Sequence, residues 1–159
     1  MFAEPKPYFF TKLYFEMNTT KVLLATLAGG VVNFLLGGLI YGKLLTGFFA
    51  SNAGSATGAM RGDSDMILWS LILGNFFSAF LLTYIFARWA GISTAPSGMM
   101  AGATIGLLMA AAYDFTMYGV SNLSNLNGTI VDILVSGVIG AISGAVIGWV
   151  LGYGEPRRA

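Results

Sequence analysis

Four stretches of this chain are long, apolar and almost free of charge: roughly residues 21–45, 65–90, 95–119 and 130–153. About 20 consecutive apolar residues carry a helix across ~30 Å of hydrocarbon. Each stretch exceeds that, so the sequence predicts four transmembrane helices with some tilt. The alternative is a set of core helices inside a water-soluble protein. Only 9% of the 159 residues are charged, against about 25% in a typical soluble domain. Nothing in the chain is polar enough to enclose such a core. An apolar content of 56% and a net charge of +1 exclude intrinsic disorder. The expected fold is an all-α integral membrane protein. Its four transmembrane helices would form a tightly packed, glycine-rich bundle, preceded by a short N-terminal interfacial helix.

This pattern divides the chain into an aromatic arm (1–20), a four-helix membrane domain (21–153) and a basic tail (154–159). The first apolar stretch is longer than the core of a signal peptide and no A-x-A site follows it closely, so it is expected to stay as an anchor. In the arm, Phe10, Leu13, Tyr14 and Met17 recur at i, i+3, i+4 and i+7, one face of a helix. That face suits a helix lying at the membrane surface with its rings at headgroup depth. A docking arm for a larger partner is the other reading. Met17, followed by Asn18, Thr19, Thr20 and Lys21, also has the look of a start.

Basic residues set the orientation. Lys6, Lys12, Lys21, Arg88, Arg157 and Arg158 fall on one side, and only Lys43 and Arg61 on the other. Both termini are therefore expected in the cytoplasm, with the chain in a cell inner membrane. The loop from Ser51 to Asp65 reads as a flexible loop or short surface helix, and residues 120–129 as turns.

The chain has no Cys and no His. Disulfides, thiolate or imidazole metal sites and the commonest general base are thereby excluded. No phosphate-binding loop or nucleophile elbow occurs. No enzyme activity, cofactor or metal is expected, and a net charge of +1 gives no case for nucleic acid.

Small residues recur every fourth position in the apolar stretches. The third holds Gly98, Gly102, Gly106, Ala110, Asp114 and Tyr118; the fourth holds Asp132, Ser136, Gly140, Gly144, Gly148 and Gly152. The first holds Gly29, Asn33, Gly37 and Tyr41, and the second Ser70, Gly74 and Ser78. Lipid is as apolar as leucine, so membrane helices associate through close packing, which small residues permit. Such rows pack the helices of one chain, or one of them faces another copy or another protein. The fourth row is the first choice for an outside partner.

Asn33, Asn75 and Asp114 lie within apolar stretches, where polar residues are costly and are functional candidates by default. Tyr118, Asp132 and Lys43 should end at the same level as Asp114. Two readings follow: a Lys43–Asp114 or Lys43–Asp132 ion pair beside an aromatic belt, or a cation or proton site on Asp114 with Asn33 and Asn75 deeper along the path.

The run Val32-Asn33-Phe34-Leu35-Leu36-Gly37-Gly38-Leu39-Ile40-Tyr41, with Leu45 and Phe48-Phe49 after it, resembles a small bacterial family of four-helix membrane proteins catalogued as a domain of unknown function. That family's first helix ends in Gly-x-x-Trp-Tyr; here Ile40 replaces the Trp. The resemblance covers about residues 20–152 and implies a bacterial inner-membrane bundle, with no activity or site residue carried across. The sequence places first a structural or accessory subunit, packed through glycine rows in a homo-oligomer or larger membrane complex within the lipid bilayer. A small channel or transporter using Asp114 stands second.

Overall fold

The computed structural model describes residues 18–154. Of the expected aromatic arm (1–20) and basic tail (154–159), residues 1–17 and 155–159 lie outside the described residues. Helix α1 spans Thr19–Leu39 and runs on into a π-helical turn, Ile40–Leu44. It is followed by the short α2 (Thr46–Ser51), a 3-10 turn (Asp63–Asp65), α3 (Leu68–Tyr84) with a π-helical end (Ile85–Ala90), α4 (Ala95–Val120) and α5 (Leu126–Gly152). Among the described residues there is no β-strand. Four of these segments, Thr19–Leu44, Leu68–Ala90, Ala95–Val120 and Leu126–Gly152, are long and apolar enough to span a membrane. This is the layout of a multi-pass membrane protein.

Local chemistry sets the ends. Asn18 caps α1 by accepting from the backbone N–H of Thr20 and Lys21 at 3.1 and 3.3 Å. Thr94 caps α4, with Pro96 in the first turn where its missing N–H costs nothing. Asn125 caps α5 by accepting from Gly128 N at 2.9 Å. That cap starts α5 at Leu126, so Asn127-Gly128-Thr129, which reads as a turn, is helical instead. Gly91, at φ +61°, ends the Leu68–Ala90 segment in the left-handed region that glycine adopts without penalty.

Two ends of the molecule can be told apart. Thr19, Gly152 and the 91–94 turn mark the terminal end; the 45–67 and 121–125 connections mark the loop end. At the loop end, the segment after α2 is stitched to the α4–α5 connection. Gly54 N donates to Leu123 O at 2.9 Å and Asn125 N to Asn52 O at 3.0 Å. A Cβ on Gly54 would stand 2.6 Å from the Asn122 carbonyl carbon, so the stitch needs glycine.

Helix α5 is the centre. It packs against α1, α3 and α4, while α1 and α3 pack on each other. Helix α4 makes extensive contact with α5 alone and is the least covered of the four. The helices therefore form a three-helix cluster with α4 as an outrigger rather than a closed square. The apolar core, Ala25, Ala79, Leu82, Phe86, Ile147 and Leu151, lies between α1, α3 and α5 toward the terminal end. Large side chains such as Leu27, Leu35, Phe77, Leu108 and Trp149 are left uncovered by the rest of the chain, the pattern a lipid-facing surface requires.

Candidate functional site: a carboxylate cluster at the loop end

The α4–α5 pair explains how two carboxylates come to face each other. A Cβ on Gly102 would lie 3.0 Å from Gly144 Cα and run into the carbonyl oxygen of Gly140. Gly98 is blocked in the same way by Gly144 and Gly148, Gly106 by Ser136, and Gly152 by the carbonyl of Ser93. The two ridges lie backbone to backbone, antiparallel. Each step of four residues toward the loop end on α4 is matched by a step back along α5. After Gly106 the next steps on α4 are Ala110 and Asp114; after Gly140 those on α5 are Ser136 and Asp132. The side chains of Asp114 and Asp132 accordingly come within interaction range.

Tyr41 completes the cluster from α1. Its hydroxyl approaches Asp132 and Ser136, with Asp114 close by. The π turn that carries Tyr41 is closed by Leu45 N donating to Ile40 O at 2.8 Å, and the Thr46 hydroxyl caps it by donating to the Tyr41 carbonyl at 2.8 Å. π turns of this kind recur at functional sites. Asp132 approaches Asp114 without closing a hydrogen bond on Oδ2, which is buried and has no partner.

Asn33 and Asn75 also meet. Asn33 is buried and its amide donates to the Asn75 carbonyl at 3.5 Å, a long bond, while the Asn75 amide donates to Leu71 O at 2.8 Å. Asn33 lies eight residues before Tyr41 on the same helix, about 12 Å deeper at 1.5 Å per residue. Lys43 is uncovered and, among the described residues, makes no ion pair. Tyr118 stands one turn beyond Asp114 and is uncovered, outside the cluster. Tyr41 and Ser136 belong with the carboxylates, and the sequence carried that signal: each falls at spacing four on the small-residue rows that also hold Asn33 and Asp132.

The glycine row of α5 is covered from within. Gly140, Gly144 and Gly148 meet α4 of the same chain, so this ridge is not open to a second protein. By contrast Gly37 and Gly38 on α1, Gly42 in the π turn after it and Gly74 on α3 have open space where a Cβ would stand. Among the described residues, no three Asp, Glu, His or Cys side chains gather to hold a metal.

Two facing carboxylates repel each other, and a proton shared between them or a bound cation relieves the repulsion. A tyrosine hydroxyl and a serine hydroxyl at the same spot can donate, accept and pass a proton. Compared with protein-family models, curated proteins and solved structures, the chain matches none.

Proposed function

We propose that this is a non-enzymatic, multi-pass membrane protein that binds a proton or small cation at the Tyr41–Asp114–Asp132–Ser136 cluster and passes it across the bilayer. The observation that carries this reading is the buried, unpartnered Oδ2 of Asp114 facing a second carboxylate from α5. With the orientation favoured by the basic residues, both termini lie in the cytoplasm and the cluster opens to the outside of a bacterial inner membrane. The test is ion or proton flux into liposomes containing the purified protein. Asp114→Asn is expected to abolish flux without lowering folded yield; unchanged flux removes the role.

A second reading, an accessory subunit or homo-oligomer, is favoured by the open glycines of α1 and α3 rather than by the α5 row. Lipid-facing small residues allow close approach of another helix. Gly38→Leu would then abolish association while leaving insertion intact, as read by native mass spectrometry of the gently released protein. A monomer in both mild detergent and lipid would count against this reading.

A further inference from the structure

Two hydroxyls on the terminal side of the molecule have no hydrogen-bond partner. Thr83 is fully buried, and the Oγ1 atoms of Thr83 and Thr26 are both sealed without a partner. A helical threonine can satisfy its hydroxyl on the carbonyl four residues back. Thr104 and Thr116 of α4 do so at 2.9 and 2.7 Å. Thr26 and Thr83 do not.

Their position follows from the register of α1 on α3. Gly29 lies against Ala79, Gly30 against Phe76, and Asn33 reaches Asn75. One turn further toward the terminal end, the same antiparallel pairing sets Thr26 at the level of Thr83. Buried polar groups without a protein partner are characteristically satisfied by internal water.

These hydroxyls extend a line of polar groups along α1. Toward the loop end come Ser143, whose buried hydroxyl donates to Gly29 O at 3.3 Å, then the Asn33–Asn75 contact, then Tyr41 with the two carboxylates. Thr26 and Tyr41 are fifteen residues apart, about 22 Å of helix rise, most of a ~30 Å hydrocarbon core. The line has a gap of about 12 Å of helix rise between Asn33 and Tyr41, and it is pinched at one further level. At Gly29 and Gly30, the side chains of Ile147 and Phe76 occupy the glycine notches, standing 2.7 and 2.8 Å from where a Cβ would be.

We infer that these groups form one transmembrane proton pathway. Thr26 and Thr83 are its water-binding station on the terminal side, and Ile147 and Phe76 are the apolar plug that closes it. The inference rests on the proton-site reading of the loop-end cluster. Along the line each hydroxyl or water takes up one proton and releases another, so every group regains its starting charge after a passage. The Asn33 and Asn75 amides orient water and carry no proton.

The test is proton flux into liposomes under an imposed membrane potential, read by an internal pH dye. Thr83→Val keeps the shape and removes the hydroxyl; Thr83→Ser keeps the hydroxyl. Thr83→Val is expected to cut flux by about tenfold or more, as loss of a buried hydrogen-bonding station does, with Thr83→Ser near wild type. Ile147→Ala is expected to raise flux several-fold, and adding Thr83→Val or Asp114→Asn should cancel the gain. That cancellation separates an opened pathway from a leaky, misfolded variant. Wild-type flux in Thr83→Val together with silence in Asp114→Asn overturns the pathway and leaves the cluster reading standing. Wild-type flux in both variants overturns both. An Ile147→Ala gain that survives Thr83→Val also overturns the pathway, and so does a silent Ile147→Ala in a silent wild type.

Discussion

The α4–α5 pair and the α1–α3 pair both rely on glycine, yet they use it differently. Along the α4 row, glycine meets backbone of α5: Gly98, Gly102 and Gly106 face the carbonyls of Gly144, Gly140 and Ser136 and the Cα atoms of Gly148, Gly144 and Gly140. Backbone on this row cannot rotate away, whereas off the row Gly137 of α5 meets the Leu107 side chain of α4, 2.6 Å from where a Cβ would be. Between α1 and α3, glycine meets side chain: Phe76 lies in the notch of Gly30, and Ala79 together with Ile147 of α5 lies at Gly29. Toward the loop end the glycines of α1 and α3 meet nothing. A backbone-to-backbone contact fixes register tightly. A side chain in a notch can swing, and a notch left empty can admit water, lipid or another helix. The rigid pair delivers the two carboxylates; the adaptable pair carries the orphaned hydroxyls and Phe76, and Ile147 of α5 completes the plug.

Substitutions can sharpen or break this contrast. The largest loss is expected from Gly102→Leu, because its Cβ would collide with backbone on α5 that cannot move aside. Overpacking typically costs about 1–3 kcal/mol and more when the neighbours are fixed, so little folded monomer should survive thermal challenge in size-exclusion profiles. Gly29→Ala is expected to cost less, about 1–2 kcal/mol, since the nearest obstructing atoms, Cδ1 and Cγ1 of the buried Ile147, belong to a side chain and not to backbone. A lowered melting midpoint with a normal elution volume would show it. Gly38→Ala should be neutral or stabilising by up to about 1 kcal/mol, because the site is open and alanine favours the helix. If Gly38→Ala proves as damaging as Gly102→Leu, the open face is filled in the native membrane, and the assembly reading gains.

The four spans were legible because a bilayer imposes a length and an apolarity that few other settings demand. The carboxylate pairing was not drawn from the sequence, which offered Lys43 as the partner of either residue, although Asp114 and Asp132 do extend the glycine rows at the same spacing of four. The Lys43 ion pair, one of the two readings the sequence offered, does not form among the described residues. That residue sits in the π turn Ile40–Leu44, whose wider ladder shifts the face on which it stands. The choice of the α5 row for an outside partner gave way for a simple reason: spacing shows that a ridge is packable but not which neighbour takes it. Thr26 and Thr83 carried no signal, because a threonine in a membrane helix ordinarily satisfies itself. Only their unused hydroxyls, seen in three dimensions, set them apart.

The central claim is that the glycine ridges bring Asp114 and Asp132 together to hold a proton or cation in transit. It is tested most directly by flux through liposomes containing wild type, Asp114→Asn, Asp132→Asn and Asp114→Glu at matched folded yield. Flux is expected in the wild type, with loss in both Asn variants and partial recovery in Asp114→Glu, which restores the carboxylate. Flux through Asp114→Asn equal to that of the wild type would contradict it.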